Sequence, residues 1–357
     1  MIADLLSSPA VHIGAGSLGR GLVVPVLVAN GAEVVVVDTD AALVARLAVE
    51  GGYDLRIRGR GERIHLAGAL HVDDPALPAL LRRTRLVTTS VKQPNLPRVA
   101  ALLGRCWDTT PDIPRVVVGC ENVEHVGREI AAMLATAGVL GGIVSPDCVV
   151  DRVCAARWPD GLAVETEDYL EWSIEGAALS GIRLAEAVPD VKPRFTRKRY
   201  LVNTYADAMA FLGERQGYVM LHEAADDDAL MRRIEPLMAV LRHLLQVRDG
   251  FDADGLMAYQ RTARARLGNV MIGRRLTTVA RDLMRKMMPA ERFMEPIADL
   301  IARGEDARAA IDVVAAILDD PVRDRMATLT ALRTAWAGHG WAAAVLDQID
   351  EVWHGRK

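Results

Sequence analysis

Short unbroken apolar runs, each too brief for a helix and closed by a polar or turn residue, recur through the first half of the chain. They are "AVHIG" (10–14), "EVVVVD" (33–38), "RLVTTSV" (85–91), "RVVVGC" (115–120) and "VLGGIVS" (139–145). Val and Ile dominate them, and the absence of polar alternation predicts strands buried on both faces. Between the first two, "LGRGLVVPVLVANG" has the length and apolar content of a crossover helix ending at a glycine, with Pro25 making its start tight or irregular. Strands alternating with helices predict a parallel, doubly wound sheet. A basic, glycine-broken stretch, "YDLRIRGRGERIHLAGAL" (53–70), interrupts the alternation and is expected to be an inserted hairpin.

Beyond about residue 190 the pattern changes. Apolar residues recur at helical spacing over 225–247, 252–268, 289–304, 307–318 and 320–337, in segments rich in Ala, Leu, Met and Arg. "AVPDVKPRF" (187–195), with two prolines, marks the expected boundary. The pattern thus predicts an α/β domain over 1–190 and a mainly helical domain over 191–357. A chain of 357 residues has the length for two cores.

The first strand leads into "VHIGAGSLGRG" (11–21), whose glycines are spaced G-x-G-x-x-G. That spacing alone is a weak signal. Here a strand precedes it, a helix follows it, and Asp38 ends the next strand nineteen positions beyond Gly19. In that context Gly14 allows the tight turn, Gly16 a close approach of a pyrophosphate, and Gly19 the packing of helix on strand. Asp38 is placed to accept hydrogen bonds from a ribose and to repel a 2′-phosphate, which favours NAD over NADP. The competing reading is a plain glycine turn beside a solvated aspartate. The first domain is therefore expected to be of the Rossmann type.

Composition narrows the classes. Aromatics are 4% of the chain, the net charge is −4 and no long basic block occurs, which argues against nucleic acid or an anionic membrane as partner. No apolar run has the length of a membrane span, and "MIADLLSSPA" lacks the features of a signal peptide. The four cysteines, Cys106, Cys120, Cys148 and Cys154, show no metal-site or disulfide-scaffold spacing and are expected to be buried reduced thiols. Together these point to a cytoplasmic protein.

Oxidation of an alcohol with a nicotinamide needs a base for the hydroxyl proton and donors for the developing oxyanion. "RFTRKRYLVNTYADAMAFLG" (194–213) is apolar on most sides if helical, so Lys198 and Asn203 within it need partners or a cleft. At 3.6 residues per turn, five positions put them about 140° apart, off a common stripe. The chain here resembles the polyol-specific long-chain dehydrogenases, the mannitol dehydrogenase family, nearest in pattern to the branch acting on mannitol 1-phosphate. The supporting segments run in order from "HIGAGSLGRG" (12–21) through "LVTTSV" (86–91), "CEN" (120–122), "VDR" (150–152) and "VETEDYLEW" (164–172). They continue with "RKRYLVNT" (197–204), "GFDAD" (250–254) and "ARDLMRKM" (280–287).

The resemblance implies metal-independent hydride transfer with Lys198 as general acid/base and Asn203 and Asn122 polarising the reacting oxygen. It implies cofactor contacts from Gly14, Gly16, Ser17, Leu18, Gly19, Asp38, Thr89 and Val91, and substrate contacts from Lys286, Asp151 and Arg281. Two departures stand out. The family places a histidine three residues after the asparagine, where this chain has Ala206, and an arginine where it has Thr278. Tyr205 and Asp207 flank the first position, and His125 and His222 are the candidate substitutes among the histidines. Two readings stand for Arg274, Arg275, Arg281 and Arg285: a phosphate site, or solvated helix charges. For Asp151 and Glu165 the choice is between a polyol hydroxyl and a structural ion pair, and the Met-rich "MRKMMPAERFM" is read as core.

The expected function is NAD-dependent interconversion of a sugar alcohol, best matched by mannitol 1-phosphate, and its ketose, fructose 6-phosphate. The partner is a polyol or ketose with or without phosphate, and a monomer or weak oligomer is expected. The alternatives are a reductase of an unusual polyol, cyclitol or uronate, and an NAD-binding sensor that has lost catalysis.

Overall fold

The computed structural model describes residues 2–107, 114–139, 141–270 and 273–355. Its described residues form two compact units, one running to Arg194 and one from Phe195 onward. The division falls inside a helix, Lys192–Lys198, and not in an open linker. Of the two prolines of the expected boundary, Pro189 follows a short strand and Pro193 lies in the first turn of that helix.

In the first unit the strands are β1 (Ala10–Ile13), β2 (Val34–Asp38), β3 (Gly52–Ile57), β4 (Arg60–His65), β5 (Gly68–His71), β6 (Leu86–Thr89), β7 (Arg115–Gly119) and β8 (Ile143–Val144). Five more follow: β9 (Cys148–Asp151), β10 (Cys154–Ala156), β11 (Val164–Thr166), β12 (Glu171–Glu175) and β13 (Glu186–Val188). A parallel sheet runs in the order β5-β2-β1-β6-β7-β8, with Ile13 registered against Val37 on one side and Thr89 on the other. Alternate side chains of β2 enter different cores: Val34 and Val36 join one, Val35 and Val37 the other. This is the doubly covered sheet that the valine runs foretell. The strand order turns back at β1 and β6, so their carboxyl ends border the crevice where open α/β sheets bind ligands.

Three details differ from the sequence expectation. The hairpin is β3 with β4 and ends at His65; β5, expected within the insertion, joins the parallel sheet beside β2. The run at 139–145 contributes only the two residues of β8. Two further sheets draw strands from 148–188, where the residue pattern carries no long valine run: β10-β11-β3-β4, which extends the hairpin, and β13-β12-β9. The hairpin's arginines pair with carboxylates at the surface, Arg58 with Asp168 at 2.6 Å and Arg63 with Asp54 at 3.1 Å.

The crossover after β1 opens as a π-helical turn, Gly19–Val23, and continues as an α-helix, Val24–Ala29. Pro25 sits at the junction, in the first turn of the α segment. The same α–π hybrid recurs in the second unit: helix Lys192–Lys198, π turn Arg199–Thr204, then helix Tyr205–Glu214. The second unit is helical among its described residues. Asp227 caps the 22-residue helix Asp228–Asp249 through the N–H groups of Ala229 and Leu230, and Gly250 closes it with φ of 73°. Asp252 and Asp324 cap Ala253–Leu267 and Arg325–Ala335 in the same way. The helix expected over 289–304 begins only at Met294. Met287, Phe293 and Met294 lie fully buried in this unit's core, as expected of the Met-rich stretch.

Candidate active site

Each glycine of the loop after β1 answers to a different constraint. Gly14 has φ of +106°, and a Cβ there would lie 2.6 Å from the Ser90 carbonyl oxygen. At Gly19 a Cβ would overlap His12 Nε2 and the Gly14 carbonyl oxygen, and lie 2.7 Å from Ser90 Oγ. Gly16 is exposed and has no heavy atom within 4 Å of a built Cβ, so space above it is open. Ser17 and Leu18 are half-buried beside it, and Ser17 Oγ accepts from the Ala156 N–H at 3.2 Å.

Asp38, at the end of β2, is tied into this loop. Its Oδ2 accepts the Ala15 N–H at 2.6 Å and its Oδ1 the Asp40 N–H at 2.9 Å. A carboxylate has about four acceptor sites, so two remain for ribose hydroxyls. Beneath the loop lies His12, wholly buried on β1. Its Nδ1 meets Thr88 Oγ1 at 2.8 Å, and its Nε2 meets the Gly14 carbonyl and Ser90 Oγ, both at 3.0 Å. Burial pushes its imidazole down to about 4, so the ring is neutral near pH 7. Arg20, on the π turn and also buried, donates through Nε to the Ala15 carbonyl at 2.7 Å and through Nη1 to Leu162 O at 2.6 Å.

Across the crevice, Thr89 Oγ1 and the Val91 N–H both donate to the buried Glu121, at 3.0 and 2.9 Å. Burial raises the Glu121 carboxyl, and these two donors oppose the rise. Thr89 and Val91, expected as cofactor contacts, therefore spend these donors on a wall of the crevice. Asn122 follows as an exposed residue just past β7, and Asp151 closes β9, buried opposite Glu171 of β12. Glu165 makes ion pairs with Arg56 at 3.4 Å and Arg157 at 3.3 Å, the structural alternative.

In the second unit, Lys198 ends the first helical segment with 8% exposure, and Asn203 is half-buried on the π turn. The turn corrects the expected angle. In i→i+5 geometry, residues five apart lie one above the other, so Lys198 and Asn203 share a face and the 140° offset of an α-helix does not apply. Four residues after Asn203, hence again on that face, comes Asp207. It is 3% exposed, accepting from Lys286 Nζ at 2.9 Å and Arg292 Nη1 at 3.1 Å. Lys286 also donates to the Val279 carbonyl at 2.6 Å and lies 5.1 Å from the Phe211 ring centroid. Desolvation raises the Asp207 carboxyl while its two cations hold it down.

The other candidates make contacts within the protein. Tyr205 turns into the core and contacts Met231 Sδ at 3.3 Å. His125, with left-handed φ of 62°, stands 3.6 Å from the buried Asp147, and His222 is half-buried on helix Leu221–Asp226. Arg281 is exposed and donates to the Thr278 carbonyl at 2.9 Å, and Arg285 pairs with Glu291 at 2.7 Å. Three residues around the glycine loop escaped sequence reasoning, His12, Arg20 and Glu121, while Asp207 is expected there only as a polar neighbour of Ala206. A polar residue inside each apolar run or helix was the available signal, because buried polar groups need partners. Three cysteines are buried and Cys154 is half-buried; all four are free thiols. No helix among the described residues is long and apolar enough to cross a membrane.

Two family descriptions match in tandem: "Mannitol dehydrogenase Rossmann domain" over residues 8–185 and "Mannitol dehydrogenase C-terminal domain" over 190–319. The mannitol-1-phosphate 5-dehydrogenase of Paenarthrobacter aurescens (strain TC1) is 30% identical over 363 aligned positions, covering 96% of this chain and 94% of its own. That of Lacticaseibacillus casei (strain BL23) is 29% identical over 85% of each chain. Among solved structures, substrate-free D-sorbitol dehydrogenase superposes with a TM-score of 0.75 at 16% identity, covering 97% of this chain and 92% of that one. Pseudomonas fluorescens mannitol 2-dehydrogenase, in a ternary complex with NAD and D-mannitol, gives 0.64 at 18%, covering 99% and 92%. The two structures share the fold with this chain; the family rests on the tandem domain matches and the near full-length relatives. This chain belongs to the mannitol dehydrogenase family, and it is a dehydrogenase acting on CH–OH groups.

Proposed function

We propose that the enzyme uses NAD to interconvert a secondary hydroxyl of a sugar alcohol phosphate and the corresponding ketose, with mannitol 1-phosphate and fructose 6-phosphate as the substrate pair. The observation that carries this is the π turn that puts Lys198 and Asn203 on one face, in a chain aligned almost end to end with mannitol-1-phosphate 5-dehydrogenases. The glycine loop fits a dinucleotide: its one open glycine is Gly16, and the other two are closed to any side chain. Gly14, Gly16, Ser17, Leu18 and Gly19 would hold the pyrophosphate, Asp38 the ribose, and Thr89 and Val91 the wall beside it. NAD, when bound, supplies the hydride acceptor.

Lys198 Nζ takes the hydroxyl proton in oxidation and returns it in reduction. The side-chain amides of Asn203 and Asn122 donate to the reacting oxygen and stabilise its developing charge. Lys286, Asp151 and Arg281 hold the remaining substrate oxygens, and no metal is needed. The free thiols fit a reducing compartment, the cytoplasm. A second reading, a reductase of an unphosphorylated polyol, cyclitol or uronate, draws support from Asp207: its carboxylate already offsets one of the two charges on Lys286 and Arg292.

NADH oxidation with fructose 6-phosphate, fructose and a panel of other ketoses separates the two. The parent is expected to turn over the phosphate ester, and Lys198→Ala to lose about 10²–10⁴ in rate. Equal rates with and without phosphate would remove the first substrate pair. Equal rates in parent and Lys198→Ala would remove the enzymatic role of the lysine.

A further inference from the structure

Arg20 is 1% exposed, and among the described residues its guanidinium makes no direct ion pair, although the Asp38 carboxylate lies near enough to favour its charge. Its acceptors are two backbone carbonyls, of Ala15 and Leu162, and the Tyr53 ring lies 5.6 Å from its central carbon. Tyr53 in turn donates to the Arg20 carbonyl at 2.6 Å, so stem and head are both fixed. A buried cation with no carboxylate in direct contact is costly, and a fold keeps one readily where a ligand brings further opposite charge. The location gives the ligand. Arg20 and Asp38 grip one peptide from its two ends, Arg20 at the Ala15 carbonyl and Asp38 at the Ala15 N–H, between the left-handed Gly14 and the open Gly16.

We propose that Arg20 is the fixed counter-charge of the dinucleotide's pyrophosphate, acting from beneath the glycine loop without touching the ligand and holding the Ala15 peptide in its binding shape. This rests on the NAD site proposed above. The charge lies in a low-dielectric setting, where salt screens it little. It therefore favours diphosphate ligands over the uncharged nucleoside at ordinary ionic strength.

The test measures binding by calorimetry, with NAD, ADP and adenosine as probes, for the parent, Arg20→Met and Arg20→Lys. Arg20→Met is expected to weaken NAD and ADP at least tenfold and to leave adenosine within about twofold. Arg20→Lys, which keeps the charge, is expected to hold the NAD-to-adenosine affinity ratio within about threefold of the parent. A uniform loss across all three probes, or no loss, in Arg20→Met overturns the proposal. If that variant does not fold, a tenfold fall of the ratio in Arg20→Lys overturns it, and a retained ratio supports it. A parent that binds no NAD would refute the underlying site instead, which keeps the two failures apart.

Discussion

Gly16 and Gly19, three positions apart, respond to opposite demands, and the same substitution should separate them. A methyl on Gly19 would overlap His12 Nε2 and the Gly14 carbonyl, both held in a buried network. Gly19→Ala is therefore expected to lose about 1–3 kcal/mol of stability, the usual range for overpacking. A methyl on Gly16 meets nothing. Gly16→Ala should unfold within about 0.5 kcal/mol of the parent in urea, while its NAD affinity falls at least tenfold. If Gly16→Ala binds NAD as the parent does, the open space above the loop is not where the pyrophosphate lies. The spacing of the glycines was legible in the sequence; the neighbours that require them, His12 and Ser90, come from β1 and from the residue after β6.

Strands β1 and β6 are joined by backbone pairing and also by His12 and Thr88, side by side in register. This polar link inside an apolar sheet has a pH signature. The imidazole titrates near 6.5 in an unfolded chain and is pushed down to about 4 here by burial. Between those values the unfolded chain binds a proton that the folded chain refuses. Stability from this group is thus complete above pH 6.5 and is lost as pH falls toward 4, about 2 kcal/mol of it by pH 5. Urea midpoints at pH 7 and pH 5 should reveal that loss in the parent, and His12→Asn, which does not titrate, should lack it. An identical pH slope in the two proteins would contradict the buried neutral ring. Among helical elements, the π turn at Arg199–Thr204 matters most, since it converts a five-residue spacing into a shared face. Nothing in the residue types announces it, because the segment is apolar on most sides and no stripe marks the change of period.

Each unit has a core of its own: the first covers both faces of a parallel sheet, the second lies among helices. Every residue assigned to the dinucleotide, and Arg20 behind it, falls in the first unit, whereas Lys198, Asn203 and Lys286 fall in the second. A fragment of residues 1–194 is accordingly expected to unfold cooperatively and to be stabilised by NAD, by about 2.7 kcal/mol at a ligand concentration of one hundred times Kd. The same fragment should show no ketose turnover. Thermal unfolding with and without NAD checks this, and a fragment that folds yet ignores NAD would mean that the site needs residues beyond Arg194.

Period and punctuation alone determined much of this protein. Valine runs set the parallel strands, glycine spacing the loop, Asp38 the end of β2, and helical spacing the character of the second half. These are local properties, fixed by which residues neighbour one another along the chain. Tertiary structure decided the rest. It moved Gly68–His71 from the hairpin into the main sheet, spent Thr89 and Val91 on Glu121, paired Lys286 with Asp207, and left Arg20 buried among carbonyls. Each of these depends on which distant residue supplies the partner of a buried polar group, and sequence spacing carries no record of that partner.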